Sequence, residues 1–134
     1  RATSAEDLLA SGETPFDAVL TLEIVEHVAD QAFFVKTAAG LVRPGGLLAF
    51  ATLNRTLKSA LTAVFVAEYV LRWLPRGTHD PRKFVKPFEA RRFLEDAGLT
   101  VTCENGFTYL PLLDSWRTGD DLSVNYMTFA EKPA

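Results

Sequence analysis

Cysteine is almost absent: Cys103 is the only one in 134 residues. A single thiol closes no internal disulfide and builds no zinc ribbon, which excludes a disulfide scaffold and makes a reducing compartment the easier setting. An excess of positive charge is lacking too. Seventeen acidic side chains against 14 basic ones leave a net charge of −3, which argues against a generally basic nucleic-acid binder. No Gly-rich phosphate loop, Ser/His/Asp elbow or zinc-finger spacing occurs. The opening RATSAEDLL has no initiator Met, no basic region and no apolar region, so no secretory signal is visible. The chain is expected to be a segment of something longer. What is present, 48% hydrophobic and 23% charged residues, is the composition of a single globular domain that buries roughly two thirds of its unfolded surface.

Elements alternate along the chain. PFDAVLTL (Pro15 to Leu22) runs from a turn-former into a short apolar, β-branched stretch, as a buried parallel strand does. Ile24 to Val42 places Val28, Ala32, Val35, Ala39 and Val42 three or four apart and stops at RPGG, which predicts a crossover helix. LLAFATLN (Leu47 to Asn54) is a second strand, completing a right-handed βαβ unit. Pro87 to Ala97 reads as a helix capped by Gly98, and a strand follows it through LTVTCENGFTYLP. LSVNYMTFAEK alternates and is expected to pair antiparallel with Val101 to Leu110. The set predicts a mostly parallel α/β sheet without internal repeats.

Leu57 to Leu74 contains 13 apolar residues in 18, long enough to approach a bilayer's thickness, but Lys58, Glu68 and Arg72 argue against spanning. One stripe, which includes Ala60, Val64, Leu71 and Leu74, suits a core. The opposite side, with Leu61, Phe65, Tyr69 and Trp73 among Lys58 and Arg72, suits a membrane interface or a lipid-like ligand. Residues 55 to 92 carry a charge of +6 and the remainder −9, which fits either a solvated face or attraction to anionic lipid.

Chemistry-bearing residues gather in LEIVEH. A helix starting at the strand end would put Glu23, Glu26 and His27 on one face, at the carboxyl end of a parallel strand where α/β sheets hold ligands. Two carboxylates and an imidazole can hold a divalent cation; acidic residues in a first helical turn are also favoured by the helix dipole alone. His79 and Asp80 lie between a helix end and a Pro, as turn residues or as a second polar site. Cys103 sits in a strand pattern and is read as packing.

The stretches PFDAVLTLEIVEHV, LVRPGGLLAFATLNRTLKS, AEYVLRWLPRGTHDPRKFVKP and the terminal VNYM resemble the ubiquinone-biosynthesis O-methyltransferases, which are S-adenosylmethionine-dependent class I methyltransferases. The resemblance covers nearly the whole chain, and its most specific parts are NRTLKS and the segment ending in KFVKP. It implies the C-terminal half of a Rossmann-like class I methyltransferase sheet over residues 1–134, with an inserted amphipathic, basic segment over 55–86. It implies methylation of catechol-type hydroxyls on polyprenylated catechol or quinol intermediates, with S-adenosyl-L-methionine as donor and a divalent cation, Mg²⁺ foremost, that would lower the phenol pKa. The metal ligands would be Glu23, Glu26 and His27; the catalytic groups His79, alternatively a fourth metal ligand, and Asp80; the cofactor contacts Ala5, Glu6, Asp7 and Leu22, although SAEDL also reads as a helix N-cap. Expected partners are anionic membrane lipids and other ubiquinone-biosynthesis proteins, without nucleic acid. The expected location is cytoplasmic, peripheral on the membrane face. The family's Gly-rich turn and ribose-binding acid would precede Arg1, so a longer parent is expected to be the enzyme and this chain alone to bind cofactor weakly or not at all. Without those preceding strands, Pro15 to Leu22 would be an exposed apolar edge. Two rival readings are a membrane-surface segment without catalysis and a methyltransferase acting on an RNA 2′-hydroxyl. The second suffers from the want of a stacking platform.

Overall fold

The computed structural model describes residues 2–61, 80–110 and 115–134. Five strands form one sheet: β1 (Phe16–Leu22), β2 (Val42–Leu53), β3 (Thr100–Leu110), β4 (Ser115–Gly119) and β5 (Asn125–Glu131), in the order β1-β2-β5-β3-β4. Among the described residues, three helices longer than one turn accompany them: α1 (Ala5–Ala10), α2 (Gln31–Gly40) and α3 (Pro87–Asp96).

β1 and β2 pair in parallel through the α2 crossover, as expected. The expectation of a mostly parallel sheet needs correction. β1–β2 is the one parallel pair among the described strands; β5 enters antiparallel between β2 and β3, and β4 pairs antiparallel with β3. β1, β2 and β3 therefore share one direction. Their carboxyl ends collect at one side, and β5 starts there. The anticipated pairing of β5 with Val101 to Leu110 is present. β4 went unforeseen because SWRTG is short and holds a single large apolar residue, Trp116, which shows no alternation.

The helix expected over Ile24 to Val42 is shorter. Val25–His27 forms a single 3₁₀ turn, Val28 is extended, and α2 begins only after Asp30, whose carboxylate accepts the Phe33 N–H at 2.9 Å. An N-cap of this kind resets the chain into a helix wherever it falls, and here it falls late. At the other end RPGG bulges out within β2. Between Phe16↔Val42 and Ala18↔Leu47 the register skips. Gly45 turns at φ 69°, and Gly46 passes so close to Asp17 that a Cβ there would lie 2.9 Å from the Asp17 carbonyl oxygen. Lys132 Nζ closes the same corner, donating to the Ala39 and Val42 carbonyls at 3.0 and 2.8 Å.

α3 is defined at both ends by sequence. Pro87 opens it, the Lys86 N–H donates to Glu89 Oε2 at 2.9 Å, and Gly98 at φ 82° ends it. The closing bonds, Gly98 N–H to the Glu95 carbonyl and Leu99 N–H to the Leu94 carbonyl, make a Schellman motif. α2 and α3 cover one sheet face, where Val35, Ala38, Leu48, Phe50, Leu94 and Tyr126 form the buried core. Of the segment from Leu57 to Leu74, the helical turn Leu57–Ser59, capped by Thr56, is described together with Ala60 and Leu61. Its core and interface faces otherwise lie outside the described residues. Among the described residues no helix is long and apolar enough to cross a membrane.

Candidate functional site

Side chains alternate across a sheet, and here the alternation divides helix-covered positions from the rest. Val19, Leu48, Phe50, Tyr126 and Ala130 point to the helices. Their neighbours Leu20, Leu22, Ala51, Met127 and Phe107 take the other face, which neither α2 nor α3 covers. Leu20 and Leu22 remain 62% and 48% exposed on β1, an outer strand of the described sheet, so the anticipated apolar edge is there.

At the carboxyl ends of β1 and β2 this second face hollows into a cleft of about 260 Å³. The register shows why. Leu22, Ala51 and Met127 stand side by side across three strands, and the small Ala51 leaves a depression between two large neighbours. Phe107, opposite Asn125, and Trp116, two residues from Phe107's partner Thr118, wall its far side. Trp116 is 62% exposed. The polar rim comes from Glu23 and Asn125, whose Nδ2 donates to Glu23 Oε1 across a long 3.4 Å. Glu23 has φ 51°, a left-handed backbone rare outside glycine and costly by roughly 1–3 kcal/mol; its N–H is held by the Ala51 carbonyl at 2.9 Å.

The candidate metal set is divided by this geometry. Glu23 and His27 are exposed, but Glu26 is 2% exposed beneath the sheet, where Thr52 Oγ1 donates to its Oε2 at 3.0 Å and Oε1 has no hydrogen-bond partner. The one-face arrangement required a helix from the strand end, and the 3₁₀ turn at Val25–His27 removes it. Among the described residues no three His, Cys, Asp or Glu side chains are grouped to hold a metal ion.

Of the expected catalytic pair, His79 lies outside the described residues. Asp80 caps the 3₁₀ turn Pro81–Lys83, accepting from the Arg82 N–H, Nε and Nη2 at about 3 Å. Those Arg82 bonds hold its carboxyl below the usual range. Asp80 thus takes the turn role and does not line the cleft. Of the expected cofactor contacts, Leu22 lines the cleft. Ala5, Glu6 and Asp7 belong to α1, which packs on α2 and is capped by Ser4 accepting the Asp7 N–H at 3.0 Å. The cleft does not bring α1 to Leu22.

Much of the basic stretch is paired. Arg55 bonds Glu89, Lys58 bonds Asp121 and Ser123, Arg91 bonds Glu104, and Arg92 faces Asp96. Arg72 and Arg76 lie outside the described residues. Sequence reasoning missed Phe107, Trp116, Asn125 and Met127. Only Asn125 and Met127 carried a signal, in VNYM, because a cleft assembled from five strands has no linear spacing.

The sequence model of the methyltransferase domain matches residues 2–104. The chain belongs to that family. It is 51% identical over 134 residues to the ubiquinone biosynthesis O-methyltransferase of Rhizobium etli (strain CIAT 652), covering all of this chain and 54% of the relative. It is 54% identical over 132 residues to the protein of that name from Mesorhizobium japonicum, covering 98% and 53%. The chain thus spans about half the length of the curated relatives it matches. A methyltransferase structure from Archaeoglobus fulgidus superimposes with a TM-score of 0.63 at 16% identity, over 97% of this chain and 66% of that one. Magnesium protoporphyrin IX methyltransferase from Synechocystis, solved with S-adenosylhomocysteine bound, gives 0.56 at 18% identity, over 92% and 48%. The fold of this methyltransferase domain is accordingly the α/β fold of the S-adenosylmethionine-dependent enzymes, in part.

Proposed function

We propose that this domain serves S-adenosylmethionine-dependent O-methylation of an aromatic hydroxyl on a polyprenylated catechol or quinol of ubiquinone assembly. The observation that carries the reading is identity above 50%, over the whole chain, to proteins named for that reaction. The cleft supports it, lying at the carboxyl ends of parallel strands, the usual ligand position in such sheets.

The bound cofactor would supply an electrophilic methyl group on a sulfonium. Leu22 and the β1 end would border it. The chain's own residues would do the rest: Leu22, Phe107, Trp116 and Met127 would flank the acceptor, and the Glu23 carboxylate at the rim would take its hydroxyl proton. Among the described residues no three His, Cys, Asp or Glu side chains gather as a metal ion would need, and no step is routed through one. Anionic lipid at the 55–86 segment is a further element of the proposal; of the described cations there, Arg55, Lys58 and Arg82 are already paired with carboxylates.

Calorimetric titration of S-adenosylmethionine tests the reading. The chain alone should bind weakly, and the chain joined to the part of the Rhizobium etli protein it does not match should bind at least tenfold more tightly. Absence of binding by the joined protein, shown folded by circular dichroism, would contradict it.

A further inference from the structure

We infer that the NRTLKS stretch at the carboxyl end of β2 is a clamp that sets the cleft. Asn54, Thr56 and Lys58 are its positioning residues, acting through residues 120–124 on Asn125 at the cleft rim. For its effect on turnover the inference rests on the methyltransferase reading, and it gives a role to a stretch that does not itself line the cleft.

The connection between β4 and β5 needs holding. Residues 120–124 lead from β4, an outer strand of the described sheet, back across β3 to start β5 between β2 and β3. They pass directly over Gly106, where a Cβ would stand 1.9 Å from the Asp121 carbonyl oxygen, so only glycine lets the crossing lie this close. The Val124 carbonyl accepts the Asn54 N–H at 2.7 Å, and ahead of that backbone bond side chains take over.

Three alternating residues reach the crossing. Asn54 Nδ2 donates to the Leu122 carbonyl at 2.8 Å, and Thr56 Oγ1 to the Ser123 carbonyl at 2.6 Å. Lys58 Nζ donates to Asp121 Oδ2 and Ser123 Oγ at 2.8 and 2.7 Å, and the other Asp121 oxygen accepts the Ser123 N–H at 2.9 Å. Thr56 does two things with one hydroxyl. Besides donating to Ser123 it accepts the Ser59 N–H at 3.0 Å, capping the turn from which Lys58 reaches Asp121. Serine can do both; valine, of nearly the same shape, can do neither.

What the clamp positions follows from chain order. Val124 immediately precedes Asn125, which opens β5, lines the cleft and pairs with Leu53 on one side and Phe107 on the other. Holding residues 121–124 against the end of β2 therefore fixes how Asn125 enters the sheet, and with it Met127 beside Ala51.

The test uses the chain joined to the unmatched part of the Rhizobium etli protein, carrying Lys58→Met, Thr56→Val or Thr56→Ser. Asp30→Ala, which loses a cap on another element, is the control. Hydrogen exchange of residues 125–127, taken relative to residues 48–50 in the core, should quicken at least fivefold in Lys58→Met and Thr56→Val. It should stay within twofold in Thr56→Ser and Asp30→Ala. The same two clamp variants should raise KM for a prenylated catechol at least fivefold while the S-adenosylmethionine Kd, by calorimetry, stays within twofold. Lys58→Met combined with Asp121→Asn should be no worse than Lys58→Met alone, since both break one bond. Unchanged relative exchange, or unchanged KM where transfer occurs, would overturn the inference. Equal rises in KM and cofactor Kd, the mark of general loosening, would overturn it too. Circular dichroism checks folding, and if Thr56→Val unfolds, the exposed Lys58→Met decides alone. No transfer by the unsubstituted joined protein would remove the methyltransferase reading, and the clamp then stands or falls by the exchange result.

Discussion

Glu23 combines an unfavourable backbone with a position at the cleft rim, and the two consequences of replacing it should diverge. Glycine tolerates φ 51° without a Cβ penalty, so Glu23→Gly should hold or raise the thermal midpoint while weakening catechol binding severalfold. A fall in both, by calorimetry and titration, would show that the carboxylate is a structural tie. Tyr126 is a different case. Its hydroxyl donates to the Val85 carbonyl at 2.9 Å, and burial, followed by the charges of Glu104, Glu89 and Glu26, raises the phenol well above its ordinary range. Folding therefore favours the protonated phenol. That contribution is complete below about pH 10, where the unfolded phenol ionises, and is lost as pH rises further. Denaturant midpoints should fall above that pH, and Tyr126→Phe should flatten the fall. Gly46 is the tightest backbone passage of the parallel corner. Gly46→Ala would set a Cβ against the Asp17 and Arg43 carbonyl oxygens, both at 2.9 Å, and should cost about 1–3 kcal/mol in chemical denaturation.

Elements hold together through their ends. Asp30→Ala removes the cap that delays α2, and should cost about 1 kcal/mol by denaturant titration. Leu94→Ala, beneath α3 in the core, should cost about 2–5 kcal/mol. Lys58 ties the turn Leu57–Ser59 to the loop before β5. Its bond, with those of Ser123, holds the Asp121 carboxyl well below the usual range. This tie is intact above about pH 4 and loosens as pH falls, which hydrogen exchange of residues 56 to 61 should register. Here the sequence was legible where one stretch carries its own signal: β1, the Pro87-to-Gly98 helix and the β5 alternation all came from local pattern. It failed where a cap or a register decides. Asp30 displaced the start of α2, and with it the shared face of Glu23, Glu26 and His27. The insertion of β5 antiparallel beside β2 is a long-range choice that no local pattern records. The cleft followed suit, since Leu22 was foreseen from resemblance but Trp116 and Phe107 reach it only through cross-strand pairing.

At the scale of the molecule, one sheet face is packed by α2 and α3, and the other presents Leu20, Leu22 and the cleft. An α/β sheet with parallel strands normally has both faces covered. The relatives that this chain matches over 98% or more of its length are nearly twice as long. The central claim is that these 134 residues supply the acceptor side of a methyl-transfer site. Its most direct test is transfer of radiolabelled methyl from S-adenosylmethionine to a prenylated catechol by the chain joined to the unmatched part of the Rhizobium etli protein. The account predicts label on the catechol oxygen, reduced at least tenfold by Ala51→Leu. A folded joined protein that binds the cofactor and leaves every catechol unlabelled would contradict it.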